Sequence, residues 1–367
     1  MALSCGIVGL PITGKTTFFN LLTQAEAETS NFFSGKTSTN KGMAYVPDAR
    51  IDCLSKVFKP KKTTYAQIEI IDIPGLVEGS SQGQGTGNEF LASVRDVDIL
   101  AHILRAFNNP DIMHVAGDIN LKRDVQIIQN ELLLADLQLI ETRLNRILEA
   151  KGKKRKLENV LEEPVLLKCQ AALEEEKPIE TLNLSQEEKD AISHITLLTQ
   201  KPVILVINVD DKQLAAESFP GKDELYDYCK SQGMTPPLVI CAQIEEEINQ
   251  LEPEERATFL TDLGIKTPGI NRLAQALYAK LGLISFLTAG EDEVRAWTIK
   301  DGLSAKAAAG KIHSDIERGF IRAETVAFAD FLAAGSMAGA REKGCFRLEG
   351  KEYIVADGDI INFRFNV

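Results

Sequence analysis

The sequence predicts an α/β fold in which a parallel sheet, covered by helices on both faces, is interrupted by a helical hairpin and followed by a small β-rich domain. Two stretches, residues 1–120 and 200–282, alternate apolar strand-like runs with glycine-rich connections and helical segments. Residues 121–199 have helical periodicity, whereas residues 283–367 contain short strand-like runs separated by turns. Strands that alternate with helices are typical of a parallel sheet, because each crossover helix covers one of its faces.

The sheet domain is predicted to be discontinuous, since its strand pattern resumes after the helical region. Its apolar runs span residues 66–73, 97–107, 202–209 and 237–242, and a closing helix spans residues 271–281. A further apolar run near residues 3–8 leads into a glycine loop. We therefore predict one sheet domain built from residues 1–120 and 200–282.

Residues 121–199 are predicted to form an antiparallel helical hairpin. Alternating four- and three-residue spacings, as in a coiled-coil seam, relate Leu133, Leu137, Ile140, Leu144 and Ile147. Ser185 with Glu188 is a capping-box signature. The turn between the two helices carries Lys151, Lys153, Lys154, Arg155 and Lys156. This basic tip is either a solvated surface or a contact to RNA phosphates, and both alternatives stay open.

Residues 283–367 are predicted to form a small β-rich domain with one crossing helix. Its strand-like runs lie at residues 284–288, 293–298, 346–348, 353–355 and 360–365, and its helix at residues 305–312. Glu349-Gly350 and Asp357-Gly358 are turn sequences between the last three runs. The sequence gives Cys345 and His313 no evident catalytic partner in this domain.

The composition narrows the class of protein. The 367 residues carry a formal net charge of −12, which argues against general polyanion binding by the whole surface. The six cysteines include no Cys-x-x-Cys pair, which is typical of reduced thiols in a cytosol. No apolar run approaches the ~18 residues of a membrane helix, and a glycine loop at residue 9 leaves no room for a signal peptide. We expect a cytoplasmic monomer without a membrane or DNA partner.

The most informative motif is GLPITGKT, residues 9–16, a complete G-x-x-x-x-G-K-[ST] phosphate-binding loop between a predicted strand and a predicted helix. Backbone N–H groups of such a loop surround the β-phosphate, and the helix N-terminus adds partial positive charge. Lys15 is predicted to reach the β- and γ-phosphates and to act in catalysis. The predicted nucleotide-binding residues of this segment are Gly9, Leu10, Pro11, Ile12, Thr13, Gly14, Lys15, Thr16 and Thr17. The sheet domain is thus predicted to be a P-loop NTPase, or G domain.

The second motif is the D-x-x-G sequence from Asp72 to Gly75, at the end of a predicted strand. Asp72 and Thr16 are the predicted ligands of Mg²⁺, and Gly75 is predicted to present its N–H to the γ-phosphate. A third metal ligand is expected from residues 34–40, where Thr37 is our candidate and Thr39 remains an alternative. The glycine-rich stretch from residue 75 to 87 is predicted to be a mobile nucleotide-sensing switch.

Leu76 follows the D-x-x-G motif directly. Ras-type GTPases carry a glutamine at this position, which orients the attacking water. A leucine side chain cannot hydrogen-bond to water. Hydrolysis is therefore predicted to be slow unless another polar group, or a partner, takes over this role.

Base recognition is predicted at two later loops. The sequence from Asn208 to Asp211 occupies the place of the N-K-x-D guanine motif, with Val209 in place of the lysine, and Cys241-Ala242 follows the last strand. The Asp211 carboxylate matches the two donors of guanine, whereas adenine offers one donor. A backbone N–H of this Cys241-Ala242 loop is predicted to meet a base acceptor. These residues locate a purine pocket and leave ATP and GTP both open.

The chain resembles the Obg-related NTPases, and specifically the YchF or Obg-like ATPase family. The resemblance covers nearly the whole length and rests on GLPITGKTTFFNLLT, IDIPGLVEGSSQGQGTGNEFLASVRDVD, the NVDD and CAQIE loops, TAGEDEVRAWTIKDG and GKEYIVADGDIINFRFNV. It implies a G domain, a coiled-coil insertion and a C-terminal β-grasp-like TGS domain. It also implies a preference for ATP over GTP, association with the ribosome and its rRNA, and a catalytic role for His114 in the loop of residues 108–118.

Two departures from the family pattern bear on function. Pro74 stands where the family usually has alanine, at the start of the switch. Asp211 stands where the family usually has glutamate, which restores a guanine-like carboxylate and puts the base preference in question.

The leading functional hypothesis is a Mg²⁺-dependent nucleotide hydrolase that acts as a switch, with Lys15, Gly75 and His114 in catalysis. A second hypothesis is a non-hydrolysing adaptor, in which nucleotide stabilises the fold while the helical arm and the C-terminal domain bind RNA or protein. A third, a small-molecule phosphotransferase, lacks any acceptor-binding signature in the sequence.

Overall fold

The computed structural model describes residues 3–24, 39–76, 86–109, 113–153 and 159–366. The strands within these residues run, in chain order, β1 Ser4–Val8, β2 Asn40–Val46, β3 Lys62–Thr64, β4 Ala66–Asp72, β5 Ile99–Arg105, β6 Val203–Asn208, β7 Leu238–Ile240, β8 Leu283–Ala289, β9 Glu293–Lys300, β10 Phe320–Ala327, β11 Arg347–Glu349 and β12 Asp359–Phe365.

The α-helices run, in chain order, α1 Lys15–Thr23, α2 Ala49–Phe58, α3 Thr86–Arg95, α4 Leu121–Gly152, α5 Glu162–Glu174, α6 Gln186–Ala191, α7 Asp211–Ala215, α8 Lys222–Ser231, α9 Ala242–Gln250, α10 Pro253–Asp262, α11 Gly269–Lys280, α12 Ala305–Ile312, α13 Ser314–Arg318, α14 Phe328–Ala334 and α15 Met337–Glu342. Two short 3-10 turns, Ile179–Thr181 and Leu198–Gln200, follow α5 and α6 respectively. Across the described ranges, no helix is both long and apolar enough to cross a membrane.

The chain divides into two compact units. The first contains residues 1–42 and 70–270, and the second contains residues 43–69 and 271–367. The helical region of residues 121–199 groups with the first unit, and the segment of residues 43–69 groups with the C-terminal residues. The division into three domains predicted from the sequence stays a prediction.

The first sheet has the strand order β2-β4-β1-β5-β6-β7. β5 pairs in parallel with β1 and with β6, and β6 pairs in parallel with β7. Every residue of β5 is buried, as expected for a central strand covered on both faces. The α/β fold is confirmed, and β1, β4, β5, β6 and β7 fall within the predicted runs, whereas β2, over residues 40–46, was not predicted.

Two clusters of buried apolar side chains pack between this sheet and α4. One contains Val8, Leu76 and Phe90 together with Ile128 and Leu132 of α4. The other contains residues of β6, α8 and α9 together with Val125 of α4. The first turns of α4 thus belong to the core of the first unit.

The helical insertion contains the predicted seam. Ile140 and Ile147 of α4 are buried, and Leu133, Leu137 and Leu144 pack with them against the apolar face of α5. The predicted capping box at Ser185 and Glu188 is present at the start of α6. Near the base of the insertion, the buried Asp136 carboxylate accepts hydrogen bonds from the backbone N–H groups of Leu198 and Thr199. The helical prediction is confirmed by these contacts.

The second unit contains a sheet of order β11-β10-β12-β8-β9-β3. β10 and β12 are antiparallel, as are β8 and β9, and Phe286 and Phe363 pack edge to face in the core beneath α12. β10, over residues 320–327, was not predicted, although it pairs with both β11 and β12.

The predicted strand at residues 353–355 is wrong, because that segment forms only an isolated bridge between Ile354 and Ser304. A side chain of this segment and the backbone N–H that follows it bind a carboxylate near the start of β12. The Tyr353 hydroxyl and the Ala356 N–H both donate to the buried Asp359 carboxylate, which holds the segment as a turn ahead of β12.

Candidate nucleotide-binding site

The phosphate loop joins β1 to α1 and depends on two glycines with positive φ angles. Gly9 has φ 151° and Gly14 has φ 98°. A Cβ at Gly9 would lie 2.5 Å from the Ile103 carbonyl oxygen, and a Cβ at Gly14 would lie 2.6 Å from Asn208 Nδ2. Because side chains cannot approach neighbouring groups so closely, both positions require glycine.

Ile12 is the unexpected residue of this loop. It holds φ 62° although its side chain is β-branched. The left-handed region costs a residue other than glycine roughly 1–2 kcal/mol, and a β-branched residue is rare there. Next to it, the buried Thr13 hydroxyl donates to the Leu10 carbonyl at 3.1 Å, which helps to close the loop in this strained shape.

Lys15 lies at the centre of the loop. Its Nζ donates to the Leu10 carbonyl at 2.8 Å, so the ammonium group is held inside the curl of the loop. A Cβ at Gly75 would lie 3.0 Å from Lys15 Nζ, which brings the D-x-x-G glycine next to the lysine. Burial lowers the pKa of Lys15 to about 8, while the nearby Asp72 carboxylate opposes this change.

Thr16 and Asp72 form the candidate metal site. The Thr16 hydroxyl donates to Asp72 Oδ2 at 2.9 Å. Burial raises the pKa of Asp72, and Thr16, Lys15 and Asn40 act against that rise. A hydroxyl and a carboxylate side by side are hard oxygen ligands that suit Mg²⁺. These two predicted ligands therefore fit the ion, and elsewhere in the described part of the chain no group of three or more His, Cys, Asp or Glu side chains suits a metal.

Several predicted residues of the switch regions lie outside the described residues. Thr37 is among them, as is most of the glycine-rich stretch after Leu76. Thr39, the alternative ligand, is exposed just before β2. Gly87 was predicted to lie in a mobile stretch, but it is a buried residue in the first turn of α3.

The Leu76 side chain points into the core of the first unit. It is 1% exposed and packs in the cluster that contains Val8, Ile73 and Phe90. The residue after D-x-x-G therefore cannot position water for two reasons. Its side chain has no hydrogen-bonding group, and it points away from solvent toward the sheet.

Asn208, at the end of β6, bridges the phosphate loop and the loop after β7. Its Nδ2 donates to the Thr13 carbonyl at 3.1 Å, and its Oδ1 accepts the Ala242 N–H at 3.2 Å. The Ala242 N–H is thus already bound to Asn208, and the contact of a base with a backbone N–H of the Cys241-Ala242 loop stays a prediction. Asn208 Nδ2 retains a second N–H for a ligand.

The other predicted base-pocket residues differ in exposure. Val209 and Cys241 are each 2% exposed, and their side chains pack in the apolar core beneath the predicted base pocket. Asp211 is exposed in the first turn of α7, where Asp210 caps the helix by accepting from the Gln213 N–H. Gln213 Nε2 in turn donates to the Ala106 carbonyl, which ties this loop to the end of β5.

His114 is buried against the first turn of α4. Its side chain is 3% exposed, and its Nε2 lies 3.0 Å from Asp124 Oδ2. The Ala116 N–H donates to His114 Nδ1 at 3.2 Å. Within the described residues, these contacts are made outside the phosphate loop. Burial lowers the pKa of His114, and the Asp124 carboxylate acts against this change.

Sequence reasoning missed the charged residues that surround His114. Arg123 Nη1 pairs with Asp118, and its Nη2 lies 3.1 Å from Asp124 Oδ1. Arg105, at the end of β5, is 2% exposed, and its charge helps to lower the pKa of His114. An aspartate in the first turn of a helix is ordinarily explained by the helix dipole, so no sequence signal pointed specifically to Asp124.

The loop geometry, the buried lysine and the Thr16–Asp72 pair at the ends of parallel strands define a P-loop NTPase. Residues 4–136 match a family described as a 50S ribosome-binding GTPase, and residues 283–366 match the YchF-GTPase_C family, described as a protein of unknown function. The chain belongs to the YchF family, as the full-length comparisons show.

Two curated relatives carry the name ribosome-binding ATPase YchF. The protein of Bacillus subtilis (strain 168) is 46% identical over 370 residues, and that of Escherichia coli O157:H7 is 43% identical over 367 residues, with 100% of both chains covered in each case. The solved structure of the Schizosaccharomyces pombe YchF GTPase is 32% identical, has a TM-score of 0.84, and matches 99% of this chain and 98% of its own. A GTP-binding protein from Pyrococcus horikoshii OT3, 18% identical with a TM-score of 0.59, matches 99% of this chain and 100% of its own and shares the fold.

Proposed function

We propose that this protein is a Mg²⁺-dependent ATPase that acts as a nucleotide-controlled switch on the ribosome. The observation that carries the hydrolase assignment is the buried Lys15 ammonium beside Asp72 and Gly75. The names of full-length relatives at 43–46% identity support ATP as substrate and the ribosome as partner. The rest of the assignment follows from what each residue of the site can do.

Binding of the triphosphate is the task of the loop and its lysine. The N–H groups of residues 9–14 and the start of α1 present partial positive charge to the β-phosphate. Lys15 exchanges the Leu10 carbonyl for phosphate oxygens, which are better partners for an ammonium group. Thr16 and Asp72 would hold Mg²⁺, which would supply positive charge to offset that of the triphosphate. Thr37 remains the candidate third ligand.

Hydrolysis needs a group that positions the attacking water. Leu76 is buried in the core and cannot serve. We assign this role to His114, following the family resemblance, and we assign stabilisation of the γ-phosphate to the Gly75 N–H. Slow hydrolysis by the protein alone, accelerated by a partner, is the behaviour expected of such a site.

ATP is the proposed substrate, although Asp211 narrows the preference. Val209 supplies no lysine to flank a guanine, and the second N–H of Asn208 suits either purine. The exposed Asp211 carboxylate favours guanine, which has two matching donors. A polar group left unpaired costs roughly 1–3 kcal/mol, so this carboxylate shifts the preference by roughly five- to 150-fold. Calorimetry with ATP and GTP on the same preparation measures it, and tighter GTP binding would reverse the substrate assignment.

The ribosomal contact is proposed for the helical arm and the C-terminal residues. The described part of the arm tip exposes Lys151 and Lys153, which suit RNA phosphates. We further propose that residues 283–367 act as a TGS domain of β-grasp type, and that the protein is a cytoplasmic monomer. Phosphate release with and without ribosomes distinguishes this switch from the non-hydrolysing adaptor, which shows no release in either condition.

The hydrolase assignment is tested by the Lys15→Ala variant. Loss of a charged contact to the transition state lowers turnover by on the order of 10²-fold or more. Lys230→Ala, which removes an exposed lysine at the end of α8, is the matched control. Wild-type turnover in Lys15→Ala, with active sites titrated, would exclude the phosphate loop as the catalytic site.

The role of His114 is tested separately by His114→Ala. We expect a lower rate of phosphate release and an unchanged affinity for ATP, because the imidazole acts on water and does not bind the nucleotide. A rate equal to that of the wild type would remove His114 from the mechanism while leaving the phosphate-loop assignment intact.

A further inference from the structure

His114 is held by both nitrogens of its imidazole ring. Nδ1 accepts the Ala116 N–H at 3.2 Å, so the proton of the neutral ring is on Nε2, which lies 3.0 Å from Asp124 Oδ2. The Asp124 contact is a close ion-pair approach without hydrogen-bond geometry, and the Ala116 N–H occupies the free nitrogen lone pair of the neutral ring. In this conformation His114 therefore cannot act as a general base toward a water molecule.

The position of the ring is also separate from the phosphate loop. His114 lines a cavity of about 370 Å³ whose described walls come from the end of β5, the residues that follow it, and the region of α7. No phosphate-loop residue is among those described walls. For the imidazole to reach the γ-phosphate, the contact with Asp124 has to break.

Asp124 lies in a buried part of the first unit. It is 1% exposed in the first turn of α4, and Val125 and Ile128 next to it are buried in the core of the first unit. α4 is 32 residues long in total and is the first helix of the insertion. The carboxylate that holds His114 is thus carried by the base of the helical arm.

Arg123 competes for the same carboxylate. Its Nε and Nη2 donate to Asp124 Oδ1 at 3.2 and 3.1 Å, and it also binds Asp118 at the surface. The positive charges of Arg123 and Arg105 both disfavour the protonated imidazole, whereas Asp124 favours it. Arg123 therefore weakens the hold of Asp124 on His114 in two ways.

We infer that Asp124 is a positioning residue that holds His114 out of the nucleotide site, with Arg123 limiting the strength of that hold, so that the base of the helical arm sets the basal rate of hydrolysis. This rests on the catalytic role proposed above for His114. A partner that displaces the first turn of α4 releases the imidazole and accelerates hydrolysis. The arm then controls the chemistry directly, in addition to providing a binding surface.

Two variants with opposite expected effects test this inference on the full-length protein without ribosomes. Asp124→Asn keeps the shape of the side chain and weakens the contact, so the basal rate of ATP hydrolysis rises by roughly three- to tenfold, with KM unchanged. Arg123→Gln leaves Asp124 free to hold His114 more tightly, and the basal rate falls severalfold. Glu224→Gln, which breaks an exposed ion pair to Lys122 in the same turn of α4 without reaching His114, leaves the rate unchanged.

Double variants test whether Asp124 and Arg123 change the rate of hydrolysis through His114. In a His114→Ala background, Asp124→Asn and Arg123→Gln no longer change the rate, because the group through which they act is gone. Effects that persist in that background would show a structural role and overturn the inference. An unchanged or lower rate in Asp124→Asn alone would also overturn it.

The outcome for His114→Ala separates this inference from the proposed function. A slow His114→Ala protein with no effect of Asp124→Asn leaves the catalytic role standing and overturns the positioning role. A His114→Ala protein with the wild-type rate overturns both. Should Asp124→Asn fail to fold, as judged by thermal unfolding, the sign of the Arg123→Gln effect decides alone, and a faster Arg123→Gln protein would refute the inference.

Discussion

Asn208 bridges two loops, and the loss of stability on removing this bridge can be calculated from its hydrogen bonds. Asn208→Ala deletes two hydrogen bonds at once, to the Thr13 carbonyl and from the Ala242 N–H. Asn208, Thr13 and Ala242 are 5%, 1% and 5% exposed, so water has little access to the carbonyl and the N–H that lose their hydrogen-bond partner. A net hydrogen bond is worth about 1 kcal/mol, and a buried group left unpaired costs about 1–3 kcal/mol. We expect the free energy of unfolding to fall by about 2–4 kcal/mol.

The Asn208→Ala substitution also removes the link between the phosphate loop and the base pocket. A loss of only 1.4 kcal/mol in binding corresponds to a tenfold weaker affinity, so we expect ATP to bind at least about tenfold more weakly. Urea unfolding followed by circular dichroism measures the first quantity, and calorimetry measures the second. Gln243→Ala, an exposed position beside Ala242 in α9, is the control and should stay within about 0.5 kcal/mol of the wild type. If Asn208→Ala matched this control in both assays, the bridge would have no energetic role.

Three further predictions follow from the site. Burial lowers the pKa of Lys15 to about 8 from an ordinary value of 10.5, and bound phosphate favours the ammonium form. ATP affinity is therefore greatest below pH 8 and falls as the pH rises above it. Calorimetry that showed a constant affinity across this range would contradict the argument. Ile12→Asn relieves the left-handed strain and should raise the free energy of unfolding in urea by up to about 1 kcal/mol; a less stable variant would show that the apolar side chain matters more. Leu76→Gln buries an amide in the core and should cost about 2–4 kcal/mol of stability without faster single-turnover hydrolysis, because position 76 faces the sheet; an accelerated variant would mean that this side chain reaches the nucleotide.

Much of the architecture was predictable because it depends on local patterns. The apolar runs that became β4, β5 and β6 have the length and composition of buried parallel strands, and the seam of α4 follows helical periodicity over many turns. β10 was missed since its residues 320–327 mix charged and apolar side chains, and antiparallel pairing with two distant strands, not its own composition, makes it a strand. The wrong strand at residues 353–355 has a different cause, because its backbone pairs with residues 303–305, which form an isolated bridge and not a strand.

The candidate site was predictable in its residue types and not in its contacts. The sequence identified Lys15, Thr16 and Asp72 through motif spacing, since phosphate and Mg²⁺ require those groups in that order along the chain. It did not indicate that Asn208 would bind the Ala242 N–H, or that Leu76 would face the core. Both depend on side-chain direction at the end of a strand, which spacing along the chain does not specify.

By itself, the sequence determined the α/β sheet, the helical insertion, the phosphate loop and the family, because each of these is encoded by local periodicity or by a contiguous motif. Only the tertiary structure decided that His114 is held by Asp124, that Arg123 competes for the same carboxylate, and that residues 43–69 group with the C-terminal unit. The physical reason is that these features depend on which side chains folding brings together and buries, and neither a contiguous motif nor a periodicity specifies those contacts, even between near neighbours such as Arg123 and Asp124. A buried charge finds its partner only when folding removes water from both groups, and no residue pattern along the chain records that encounter.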